Sequence, residues 1–128
     1  MSETTYTLAR RWFEEVWNER SRETIYALVD PACVGHHEGE VSKGPADVEA
    51  MRDRLVGLMP DIKVTVEDIV ADGDNAAVRW KFTGTPLGAS NPLSFSGMTW
   101  LKFKDGRIVE GWDRWNQGVM LQQLQALA

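Results

Sequence analysis

A change of period at Pro60 constrains this chain more than any other feature. Ahead of it, apolar residues recur every three or four positions, and beyond it every second one, which are the signatures of helices and strands. Tyr6, Ala9, Phe13, Val16 and Trp17 mark an amphipathic helix over roughly 4–19, with Arg10, Arg11, Glu14 and Glu15 beside the stripe. Ser21 is the expected N-cap of a short second helix holding Ile25, Leu28 and Val29, which stops near Asp30 because Pro31 cannot continue it. Pro45, following Gly44, suits the first position of a third helix whose buried side is Val48, Met51, Leu55, Leu58 and Met59. The intervening ACVGHHEGEVSKGP has little periodicity and reads as a loop.

Beyond Pro60-Asp61 the alternation of Ile62, Val64, Val66 and Ile69 predicts a strand over about 62–71. The turn residues ADGDN then lead into AAVRWKFTG, a second strand. LSFSGMTWLKF and RIVEGWDRW form a third and fourth strand, joined across Asp105-Gly106, a strong two-residue hairpin signal. QGVMLQQLQALA closes the chain as a short helix or tail. Helices followed by antiparallel strands define an α+β chain in which the helices cover one face of the sheet.

A length of 128 residues suits a single domain spanning 1–128. The net charge of −5, with basic residues scattered, argues against a nucleic-acid surface. No run of about 20 apolar residues is present to span a bilayer, and MSETTYTLARRWFEEVW lacks the pattern of a signal peptide. The single cysteine, Cys33, excludes an internal disulfide and suits a reducing compartment, so a cytoplasmic protein is the expectation. The adjacent ligand types in HHE are too close in sequence to converge on one ion, so no metal is expected.

With Asp105-Gly106 at the turn, a regular register pairs Phe103 with Ile108, Lys102 with Val109, Leu101 with Glu110, Trp100 with Gly111 and Met98 with Asp113. One face then holds Val109, Gly111, Asp113 and Trp115 with Trp100 and Met98; the other holds Ile108, Glu110 and Trp112 with Phe103, Leu101 and Thr99. Each face is apolar with one carboxylate, whereas an antiparallel sheet with one wet side alternates cleanly. A second layer or a partner subunit is therefore expected over the back. Asp113, beside the open volume left by Gly111, is the candidate general acid/base, with Glu110 as the alternative. A strand-end aspartate is more often solvent-exposed or salt-bridged, here to Arg114, Arg107 or Arg79. Trp12, Trp17 and Trp80 are expected in the core.

The order of a WFEEVWN first helix, a His after the second helix, a GP-initiated third helix, PDIKVTVEDIVADGDNAAVRW and DGRIVEGWD resembles the SnoaL-like polyketide cyclases of the nuclear transport factor 2-like superfamily. The resemblance covers nearly the whole chain. It implies a cone-shaped roll, a strongly curved antiparallel sheet wrapped around N-terminal helices, and commonly a homodimer through the outer sheet face. It implies cofactor-independent acid/base chemistry, such as an aldol-type cyclisation or a related isomerase or lyase reaction, on a small apolar or polyketide-like substrate. Asp113 takes the place of the family's acid/base. His36 best matches a family histidine that lines the pocket, with His37 as the competing choice. His37, Trp80, Met98, Trp100 and Trp115 are then the expected substrate-binding residues. The third strand, SGMTWLKF, lacks a histidine described in the cyclases, so the pocket is not a copy. Other members of the superfamily suggest alternatives: a non-catalytic apolar-ligand or dimerisation module, or an epoxide hydrolase using an Asp-Arg-Asp set with Arg79 in the middle.

Overall fold

The hydroxyl of Thr4 accepts the Thr7 N–H at 3.1 Å and so opens helix α1 (Thr5–Phe13). In the computed structural model, which describes residues 4–116 and 122–123, α1 widens into a π-helical turn over Glu14–Asn18. Leu8, Ala9, Trp12, Phe13, Val16 and Trp17 are buried along one side, whereas Tyr6 is exposed. On the other side Arg10 pairs with Glu14 at 3.0 Å and Arg11 with Glu15 at 2.8 Å. Ser21 caps α2 (Arg22–Leu28), its hydroxyl accepting the Thr24 N–H at 3.1 Å. Helix α3 (Gly44–Leu58) carries Pro45 in its first turn, and its Leu58 is exposed rather than buried. No described helix is long and apolar enough to cross a membrane.

Among the described residues six strands follow or interleave with the helices: β1 (Val29–His37), β2 (Glu40–Lys43), β3 (Lys63–Asp72), β4 (Asn75–Gly84), β5 (Leu93–Lys104) and β6 (Arg107–Trp115). They form one curved sheet in the order β2-β1-β6-β5-β4-β3, antiparallel except for the parallel β1–β6 pair. The fold is thus α+β, with α1 packed on β3 and β4 and α3 packed on β1. On the inner face Val78, Trp80 and Phe82 of β4 stand opposite Thr99, Gly97 and Phe95 of β5. The edge strand β3 is covered by Asn18, whose amide donates to the Val64 carbonyl at 2.9 Å and accepts its N–H at 2.8 Å.

Two expectations need correcting. The stretch ACVGHHEGEVSKGP is not a loop, since most of it forms β1 and β2. Its inward positions are Cys33, Gly35 and His37, which hide the apolar alternation, and pairing with β6 fixes it as a strand. The second correction concerns the β5–β6 register. The turn is as read, with Asp105 at φ 53° and Gly106 at φ 78°, the positive pair of a type I′ hairpin. Val109 is then an extra residue: Phe103 faces Ile108, but Lys102 faces Glu110. This β-bulge moves every later partner by one, so Asp113 faces Thr99 and Trp100 faces Trp112. Nearly all of QGVMLQQLQALA lies outside the described residues; of it, the Gln123 side chain is paired with the backbone of Ser94.

Candidate active site

The bulge decides what surrounds Asp113. Ile108, Gly111, Asp113 and Trp115 of β6 face inward, while Trp112 and Arg114 face out with Trp100 and Met98. Inward, Thr99 lies opposite Asp113 and donates its hydroxyl to Oδ1 at 2.5 Å. The buried Trp80 indole donates to Thr99 Oγ1 at 2.8 Å. The parallel neighbour β1 brings His37 to the other carboxylate oxygen, with Nδ1 at 2.6 Å from Oδ2. His37 Nε2 in turn lies 2.9 Å from the hydroxyl of buried Ser42 on β2. In a neutral ring whose Nδ1 donates to the carboxylate, Nε2 accepts from the Ser42 hydroxyl; in a protonated ring both nitrogens donate. Five residues from five strands therefore form one chain: Trp80, Thr99, Asp113, His37 and Ser42.

Two glycines make room for this chain. A Cβ at Gly35 would lie 2.4 Å from Ser42 Oγ and 2.6 Å from His37 Nε2. One at Gly97 would lie 2.5 Å from the Trp80 ring. Neither contact is possible for a larger residue without displacing part of the chain.

Asp113, His37 and Thr99 stand where two cavities meet, and they line both. The larger, about 160 Å³, is walled mainly by aromatic and aliphatic side chains, among them Trp17, Met51, Phe82, Phe95 and Trp115. The smaller, about 40 Å³, reaches back to Cys33, Gly35 and Ser42. Burial, with the charges of Asp30 and Glu110 adding to it, pushes the Cys33 thiol up to about 11, so this wall stays neutral. The indole N–H of Trp115 is buried without a partner among the described residues.

The other candidates fall elsewhere. His36, the first choice for the pocket, points to the opposite side of the sheet from His37, because adjacent strand residues alternate. Its Nε2 lies 2.8 Å from Glu110 and its ring stacks on Trp112, with centroids 5.4 Å apart. Neither the two histidines nor the two carboxylates of β6 therefore share a site. Met98 and Trp100, expected in the pocket, are 55% and 49% exposed on the outer face. The one-residue shift at Val109 put them there, and the same shift brought in Thr99. Arg79 is exposed opposite Asp68 and Met98, which rules it out as the centre of an inward Asp-Arg-Asp set. Trp80 and Trp115 do line the larger cavity. Thr99 and Ser42 were missed. Thr99 could have been found only by placing the bulge, and Ser42 only by recognising β2 as a strand.

Seen with this geometry, residues 7–124 match the family model of the SnoaL-like polyketide cyclases. The chain belongs to that family. Among solved structures it is similar to IdmH of Streptomyces antibioticus, described as a candidate polyketide cyclase, with 26% identity, a TM-score of 0.83, and 96% of this chain and 99% of that one covered. TsrD of Streptomyces laurentii shares the fold at 22% identity, with a TM-score of 0.81 and 94% of each chain covered. So does a hypothetical protein of Catenulispora acidiphila with a ketosteroid isomerase-like fold, at 18% identity and a TM-score of 0.83, with 94% of this chain and 93% of that one covered. No curated protein matches the chain.

Proposed function

We propose that the chain is a cofactor-independent enzyme in which Asp113 moves a proton at carbon next to a carbonyl group, as in an aldol-type cyclisation or a related isomerase or lyase reaction. The observation that carries this reading is the seat of Asp113: one carboxylate at the wall of an apolar cavity, each oxygen held by a single donor, Thr99 or His37. A carboxylate has about four acceptor positions, so two remain for a substrate hydrogen. Asp113 would take the acidic hydrogen and return it to the product, while the apolar walls exclude competing water. His37 acts here as a positioning residue. Both of its nitrogens are engaged, and it holds the carboxyl plane against the cavity. Membership of the cyclase family supports the same class of chemistry.

Deuterium uptake at the methyl group of acetophenone in D2O, followed by proton NMR, tests the reading. The protein should accelerate uptake over buffer. An unchanged rate, with acetophenone bound in the cavity, would favour a binding protein.

We also propose that the outer sheet face meets a second copy of the chain. Val70, Ala77, Trp100, Trp112, His36 and Val41 are register partners in one row across all six strands. An apolar row of this length on a face that no described element covers supports association. Arg79, Arg114 and Asp68 beside it, and Lys102 and Glu110 on its other flank, give both signs of charge for self-complementary contact. Trp100→Lys should shift the sedimentation velocity from dimer to monomer; a monomeric parent would contradict the proposal. The single cysteine supports a cytoplasmic setting for the chain.

A further inference from the structure

A proton removed from carbon leaves negative charge on the neighbouring carbonyl oxygen, and that oxygen calls for a donor of its own. The chain of residues around Asp113 has none to spare. The Thr99 hydroxyl is given to Asp113, and the Trp80 N–H is given to Thr99. His37 has one nitrogen on Asp113 and the other on Ser42.

An unspent donor stands two residues further along β6. Trp115 shares the inward face of the strand with Asp113, and both line the larger cavity. Two residues of strand separate their backbones by roughly 7 Å, close enough for one small ligand to touch both. The register sets Gly97 of β5 between Trp80 and Trp115, so two indoles flank one glycine across three strands. They differ in where the N–H goes. That of Trp80 is spent on Thr99, whereas that of Trp115 is buried and has no acceptor among the described residues. The backbone is pinned just beyond it, where the Asn116 N–H donates to the Ser96 carbonyl at 3.1 Å. A buried donor without an acceptor is rare and costs stability, and an acceptor brought by a ligand removes that cost.

We propose that the Trp115 N–H holds the carbonyl oxygen of the ligand while Asp113 takes the hydrogen from the adjacent carbon. The C–H electron pair becomes the carbon–carbon double bond of an enolate, the carbonyl π pair moves onto oxygen against the Trp115 N–H, and the proton goes to the Asp113 carboxylate. Return of a proton to carbon reverses each movement. The proposal rests on the reading of Asp113 as the reacting carboxyl and assigns it a catalytic partner.

Trp115→Phe keeps an aromatic wall and removes the N–H, and Trp17→Phe, on the wall of the same cavity, controls for the lost ring volume. Thermal melts confirm folding. Deuterium uptake by acetophenone should slow at least about tenfold in Trp115→Phe. Isothermal titration with acetophenone and with ethylbenzene, which lacks the carbonyl, gives a ratio of affinities in which changes of packing largely cancel. That ratio should fall at least about threefold in Trp115→Phe and stay within about twofold in Trp17→Phe. Exchange and ratio both unchanged in Trp115→Phe would overturn the proposal and leave the reading of Asp113 standing. An equal fall of the ratio in Trp17→Phe would also overturn it. A ratio that falls only in Trp115→Phe, in a protein whose parent shows no exchange, would refute the catalytic reading and keep the N–H as the carbonyl donor. Should Trp115→Phe not fold, proton NMR of the parent decides: the Trp115 indole proton should move downfield with acetophenone and not with ethylbenzene, and equal shifts would overturn the proposal.

Discussion

His37 Nδ1 stands 2.6 Å from Asp113 Oδ2, a contact between strands that are parallel neighbours and 76 positions apart in the chain. It is possible because Gly35, two residues before His37, has no side chain. Its missing Cβ would lie 2.6 Å from His37 Nε2 and 2.4 Å from Ser42 Oγ. Gly35→Ala should therefore push the imidazole off both partners and cost about 1–3 kcal/mol by overpacking. Urea denaturation measures the cost, and acetophenone exchange should slow with it. Unchanged stability and exchange would show that His37 has another seat.

How much of this was legible in the sequence depends on what kind of signal each element sends. The α1 stripe, the Ser21 cap, the Pro45 helix start and the Asp105-Gly106 turn rest on local side-chain chemistry, and each lies where the sequence puts it. β1 carries no such signal. Gly35 and His37 occupy inward positions where an apolar alternation would show, because those positions line the cavity beside Asp113 rather than the core. The bulge at Val109 is likewise silent, since Val109 suits a strand in either register. One silent residue was enough to exchange Thr99 for Met98 beside Asp113 and to send Trp100 outside. The histidine choice followed from the same ignorance, because alternation decides between His36 and His37 only once the strand and its register are known.

Thr99 links Trp80 to Asp113 and is nearly without solvent contact. Thr99→Val preserves the shape and removes the hydroxyl, which strands the Trp80 N–H in the core. The expected cost is about 1–3 kcal/mol, with Thr99→Ser costing less. Urea midpoints of the two variants measure the difference. Equal midpoints would mean that the hydroxyl contributes nothing to the packing.

Cys33 should be inert in the folded protein. Burial, then Asp30 and Glu110, raises its thiol from about 9 to about 11. Ellman's reagent at pH 8 should label it negligibly in buffer and fully in urea. A group raised in this way favours the fold below the unfolded value and loses that contribution as pH climbs towards 11. The parent should thus lose stability between pH 9 and 11 more steeply than Cys33→Ala. Prompt labelling at pH 8, or parallel alkaline profiles, would contradict the burial of this thiol.

The two carboxylates of β6 provide the most direct test, because Asp113 faces the apolar cavity and Glu110 faces His36 on the other side of the sheet. Acetophenone deuteration is to be compared in the parent, Asp113→Asn and Glu110→Gln, with thermal melts to confirm folding. Asp113→Asn should slow the exchange by at least about 100-fold, the usual contribution of a general acid/base, and Glu110→Gln should leave it within about twofold. Exchange that survives Asp113→Asn, or that falls only in Glu110→Gln, would place the chemistry on the wrong face of the sheet.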